Sequence, residues 1–243
     1  MTLRNRTAAV LAVVVFSFTN SSFAQAPAAA PAPPPPIPAD VSPLYVVTYV
    51  EVKQASRDEA AALLKAYRDA SRPAPGNMRS LVVRSAHRPG QFVIAAAWKD
   101  KAAWDAHMAA AGTAAFRDKI AALRGAPTDD RFHNALSVGP MDAPQAAGAV
   151  YAVTHVDVIP PRREDAVAAL KLLGEANRAG AGNLRYEIVQ QTNRPNHFTV
   201  LEIWRSREAF DANAAAPAQR EFRDKLGQMT GALYDERLYE VLN

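Results

Sequence analysis

The sequence predicts an α+β protein in which two ferredoxin-like β-α-β-β-α-β units close one pseudo-twofold barrel within a single chain. Three observations carry this. Residues 45–136 align on residues 151–242 without a gap, at an offset of 151 − 45 = 106, and roughly a third of the aligned positions are identical. Each copy switches its hydrophobic period from two to about 3.6 and back. Strand stretches such as Phe92 to Ala97 are apolar on both faces, so each sheet needs cover on the side its own helices leave open. The other copy supplies that cover most economically. The same geometry built from two chains as a symmetric homodimer, or by swapping, stays open.

The elements follow in order. Residues 44–53 are β-branched and aromatic, bounded by Pro43 and a polar turn, and read as a strand. Ser56 with Glu59 three residues on reads as a capping box. The helix behind it sets Ala60, Leu63, Leu64 and Tyr67 on one stripe and ends before Pro73. Pro75-Gly76-Asn77 is turn chemistry, and 78–86 and 91–99 are strands joined through Arg88-Pro89-Gly90. Asp100 starts a second helix with Ala103, Trp104 and His107 on one face. Gly112 is expected to break it, a further helical piece covers 114–123, and 129–138 is the last strand. The second copy repeats this pattern, including Gly76/Gly182, Trp98/Trp204, Arg131/Arg237 and Phe116-Arg117-Asp118-Lys119 against Phe222-Arg223-Asp224-Lys225.

Outside the repeats, Arg4 and Arg6 precede an apolar run from Ala8 to Phe18 and the small-residue segment Ser22-Phe23-Ala24. This is a secretory signal pattern over 1–24, too short in its apolar part to span a bilayer, so a periplasmic or secreted protein without a membrane anchor is expected. An Ala/Pro-rich tether covers 25–43, with Pro33 to Pro36 favouring extended polyproline II. The first unit then spans 44–139, a Gly/Pro/Ala linker 140–148 and the second unit 149–243. The net charge of +4 falls to +4 − 2 = +2 without the leader, too little to argue for a nucleic-acid partner. No cysteine is present, which excludes disulfides, thiolate metal sites and a cysteine nucleophile. The five histidines are scattered with no metal-ligand spacing, and no phosphate loop or hydrolase triad spacing occurs.

The stretch from Phe198 through Trp204 to Asn213, matched by Phe92 to His107 in the first copy, resembles the strand-to-helix signature of antibiotic biosynthesis monooxygenase domains. The resemblance covers both units and implies an intramolecular dimeric α+β barrel. It also implies a monooxygenase that uses no metal or flavin cofactor: a small aromatic or quinol substrate is deprotonated, and its anion reduces dioxygen. The protein must then supply a base, donors for the anion and a dry pocket. The haem-degrading branch carries a Phe-x-x-x-His axial ligand. Here those positions are Phe116 to Ile120 and Phe222 to Leu226, and an apolar side chain cannot ligate iron.

His107 and Trp98 form the first expected pair. His107 is either the base or a helix-face histidine that only hydrogen-bonds, and its counterpart Asn213 cannot act as a base. Tyr49 and His155 hold equivalent places on the first strand of each unit, with His155 either a second base or a satisfied core residue. Trp98 and Trp204 correspond to the family's pocket tryptophan, or simply pack. Arg79 and Arg185 either hold an anionic substrate oxygen or form salt bridges. All five aromatic and histidine residues are expected to line the pockets, with activity asymmetric between the copies. The alternative is a non-catalytic barrel that binds a small molecule or serves in stress.

Overall fold

The computed structural model describes residues 43–141 and 147–242. The expected leader and nearly all of the tether lie outside the described residues, as do positions 142–146 of the linker. In the first unit, β1 (Leu44–Glu51) leads through a short 3₁₀ turn into α1 (Arg57–Ser71). Then come β2 (Asn77–Ser85), β3 (Gln91–Trp98), α2 (Lys101–Ala109), α3 (Ala111–Leu123) and β4 (Asp129–Ser137). The second unit repeats this as β5 (Val150–Asp157), α4 (Arg163–Arg178), β6 (Asn183–Gln191), β7 (His197–Trp204), α5 (Arg207–Ala214), α6 (Pro217–Gly227) and β8 (Asp235–Val241).

The eight strands form one closed antiparallel barrel in the order β1-β3-β2-β8-β5-β7-β6-β4. Within a unit, β1 lies between β3 and β4, with Val47 opposite Ala95 and Val46 opposite Phe132. Between units, β2 pairs with β8 and β4 with β6, for example Arg84 with Glu240 and Asn134 with Gln190. Closure gives every strand a neighbour on both sides, although the β2–β8 seam is short, Val83 to Ser85 against Tyr239 to Val241.

Side chains alternate across this barrel wall. Val47, Val83, Val93, Ala95, Tyr151, Val153, Leu201, Ile203 and Tyr239 meet in the interior. The intervening residues point outward to the helices: Val50, Val82, Phe92 and Ile94 pack on Ala60, Leu64 and Ile120 of the first unit. Strands apolar on both faces are therefore explained by two layers of cover, one from helices and one from the opposite half of the barrel.

Three local expectations need correction. Ser56 makes no side-chain cap bond, because it closes the 3₁₀ turn before α1 instead of standing in extended backbone. The α2–α3 break falls at Ala110 (ψ 136°), and Gly112 lies inside the first turn of α3. The first and last strands of unit one are shorter than read, ending at Glu51 and Ser137. Asp100 does cap α2, accepting from the Ala103 N–H, and its counterpart Ser206 caps α5 in the same way.

The paired turn glycines are fixed by both conformation and space. Gly76 and Gly182 have φ of 78° and 80°. A Cβ at either would stand 2.5 Å from Ala103 Cβ or 2.6 Å from Ala209 Cβ. Gly76→Ala should cost about 2 kcal/mol, seen as a thermal midpoint lowered by about 4–8 °C.

Candidate functional site

A cavity of about 280 Å³ lies between the outer face of the first unit's sheet and its helices. Strand residues Val46, Thr48, Ile94, Ala96 and Trp98 form its floor, and Tyr67, Trp104, Phe116 and Ile120 its helix side. Exposed Ala121, Arg124 and Pro127 stand at its open end, between the end of α3 and the start of β4. At one side, Thr48 donates to Asp130 at 2.7 Å, and Arg117 donates to the other oxygen of that carboxylate at 3.0 Å.

At the other side stands a polar group around His107. The Tyr67 hydroxyl lies 2.9 Å from His107 Nε2, and Ser71 Oγ and Thr113 Oγ1 each lie 3.4 Å from the same nitrogen. Tyr67 stacks on Phe116 at 4.0 Å, and the Trp98 and His107 rings are 4.6 Å apart. Helical spacing explains the group: residues 67 and 71 share one face of α1, and residue 107 approaches from α2. Burial holds the His107 imidazole below its usual pKa, so it is a neutral acceptor near pH 7. Burial, partly offset by hydrogen bonding to Ser71, raises the Tyr67 phenol, which stays protonated beside His107.

His107 is not part of the cavity wall. It sits behind Tyr67 and Trp98, which are. Trp98 is 1% exposed, and its indole N–H has no partner. A buried donor without an acceptor costs about 1–3 kcal/mol, and an acceptor entering the cavity would relieve that cost.

The second unit builds the same region from different side chains. Tyr67, Ser71, Ala96 and Thr113 have Leu173, Asn177, Glu202 and Gln219 as counterparts. Leu173, Phe222, Leu226 and Met229 close one continuous core there. Trp204 Nε1 donates to Glu202 Oε2 at 2.8 Å, and Asn177 donates to Gln219 at 3.3 Å. Trp204 is thus a satisfied core residue, and Asn213 is buried on α5.

Tyr49 and His155 line a different pocket from that of Trp98. Their odd positions put them inside the barrel, near its end, with Arg131, His197, Arg237 and Tyr239. His155 Nε2 lies 3.2 Å from His197 Nδ1, and burial pushes the His155 pKa down to about 4. Arg131 stacks on the Tyr49 ring at 4.6 Å. Arg79 and Arg185 also point inward, where they form salt bridges to Glu187. Among the described residues, no group of three or more metal-binding side chains occurs.

Tyr67, which the sequence placed only on a helix stripe, and the Thr48–Asp130–Arg117 set were not singled out. A signal for Tyr67 did exist: the aligned copies differ in polarity at 67/173 and 96/202 while conserving the scaffold around them.

The fold and this cavity define a class: a dimeric-type α+β barrel whose two ferredoxin-like halves are fused in one chain. The chain belongs to the antibiotic biosynthesis monooxygenase family, whose model matches residues 43–119 and again 149–225. A proposed monooxygenase of Fusobacterium nucleatum superposes with a TM-score of 0.76 at 14% identity, covering 84% of this chain and 94% of that one. One from Lactobacillus acidophilus gives 0.69 at 15% identity, covering 83% and 95%. An anthrone oxidase-like protein gives 0.64 at 13%, covering 85% and 94%. An uncharacterized Synechocystis protein is 24% identical over 87 residues, 36% of this chain and 59% of its own length. The match thus spans about three-fifths of that relative.

Proposed function

We propose that the first unit is a monooxygenase-type site for a small phenol, quinol or anthrone, with dioxygen as the co-substrate, and that the second unit is its structural support. One observation carries this: in the first unit the cavity stands beside a buried indole N–H without a partner among the described residues and beside the Tyr67–His107 pair, whereas in the copy lacking that pair the matching indole is satisfied by Glu202. Family membership and the anthrone oxidase-like neighbour support the same substrate class. The leader pattern over 1–24 would place the site in the periplasm or outside the cell.

In this reading the substrate hydroxyl gives its proton to the Tyr67 oxygen as Tyr67 passes its own to His107 Nε2. The Trp98 N–H stabilises the resulting oxyanion in a site largely closed to water. The electron-rich anion transfers an electron to dioxygen, and the radical pair closes a carbon–oxygen bond. His107 returns the proton through the Tyr67 hydroxyl to the peroxide, and loss of water leaves a carbonyl. Each turnover takes four electrons from the substrate, placing one oxygen atom in product and the other in water.

The test is oxygen uptake by the purified protein with a panel of quinols and anthrones. Wild type should consume one dioxygen per product above the spontaneous rate. Ala96→Trp, which fills the cavity floor, should abolish the excess while retaining the fold by circular dichroism. Substrate binding with no excess oxygen uptake would overturn the reading in favour of a non-catalytic binding protein.

A further inference from the structure

The barrel interior holds a second chamber, separate from the helix-side cavity. Its volume is about 390 Å³, and its walls include Val83, Val93, Ala95, Tyr151, Leu201 and Ile203. Arg79, Arg185 and Glu187 also line it. Arg79 grips Glu187 with both terminal nitrogens, at 2.8 and 2.5 Å, and Arg185 Nη1 donates to the same carboxylate at 2.7 Å. Arg185 Nη2 donates to the Met141 carbonyl, while its Nε has no partner among the described residues although the residue is only 8% exposed.

The pseudo-twofold exposes an imbalance. Arg79 and Arg185 are counterparts at the repeat offset, 185 − 79 = 106, but Glu187 has Leu81 as its counterpart. Twofold symmetry would give Arg185 its own cross-barrel carboxylate at position 81, as Glu187 serves Arg79. Leu81 leaves two guanidinium groups sharing one carboxylate, a net charge of +1 for this cluster at the chamber wall. Uncompensated buried charge is costly, and a bound anion would neutralise it with charge-assisted bonds.

We infer that this chamber is a binding site for a small amphipathic monoanion, an aromatic or short aliphatic carboxylate, with its carboxylate on Arg185 beside Leu81 and its apolar body against Val93, Ala95, Leu201 and Ile203. The inference does not depend on the reaction proposed for the helix-side cavity. That cavity floor is built from even-numbered strand residues such as Ala96 and Trp98, whereas this chamber is walled chiefly by odd-numbered ones.

Calorimetric titration of the full-length protein with 1-naphthoate, and with the neutral 1-naphthalenemethanol, tests the inference. Naphthoate should bind with 1:1 stoichiometry and at least tenfold more tightly than the alcohol. Leu81→Glu supplies the missing carboxylate, and Arg185→Met removes the excess cation while leaving the Arg79–Glu187 pair. Each should weaken naphthoate binding at least tenfold, and having both keeps the test decisive if one variant fails to fold. Ala96→Trp, which blocks only the helix-side cavity, should leave naphthoate affinity within twofold. Equal affinity for acid and alcohol, unchanged binding in both charge variants, or loss of binding in Ala96→Trp would each overturn the assignment.

Discussion

Replacing Glu187 by alanine should lower the thermal midpoint by roughly 10 °C, a loss of about 3–5 kcal/mol. Glu187 is fully buried, and it is the acceptor for three guanidinium N–H groups from opposite halves of the barrel. Burial raises its carboxyl pKa, and the Arg79 charge offsets part of that rise. Without the carboxylate, the two cations lose the counter-charge they share. The cost comes from stranding those charges, so it should vanish when they are removed together. The triple variant Arg79→Leu, Arg185→Leu, Glu187→Leu should recover the wild-type midpoint or exceed it. Thermal unfolding of the two variants checks both halves of the argument. A midpoint in Glu187→Ala within 2 °C of wild type would show that water enters the barrel and solvates the cluster.

The same cluster marks where sequence reading stopped. The repeat offset and the alternation in β1 and β3 were enough for two matched units and a closed barrel, because both are short-range regularities that report the whole fold. The alternation also assigns each strand residue to one wall face. Applied strictly, it would have separated Tyr49, His155, Arg79 and Arg185, which point inward, from Trp98 and Trp204, which point to the helices. Grouping Tyr49 and His155 with Trp98 and Trp204 as pocket-lining residues runs against that parity. Whether Arg79 meets solvent, substrate or a carboxylate depended on Glu187, at 187 − 79 = 108 positions away and on another unit, a pairing that only barrel closure creates. Differences between the copies were the stronger functional signal. At 67/173, 81/187 and 96/202 one copy is apolar where the other is polar, and those positions mark the helix-side cavity and the charged chamber.

The second expected result concerns the proton relay. His107→Ala should reduce kcat for a responsive quinol by about 10²–10⁴-fold, and Tyr67→Phe by at least tenfold, with KM changed far less in either. The two effects should not add, since the hydroxyl passes its proton only to an intact imidazole. A structural role for His107, as one more partner of Ser71, Thr113 and Tyr67, would also predict some loss, so the pH profile decides. Burial holds His107 below its ordinary pKa of 6.5. In the proposed relay the imidazole is therefore neutral near pH 7, and kcat/KM should fall on the acid side at a lower pH than an unperturbed histidine would give. In His107→Ala that acid limb should disappear from the residual rate, because no group remains to be protonated in the relay. His155, at the far side of the barrel wall, also titrates low, at about 4. It does not touch Tyr67, so an acid limb that persists unchanged in His107→Ala but is lost in His155→Ala would move the proton transfer out of the helix-side cavity and into the barrel.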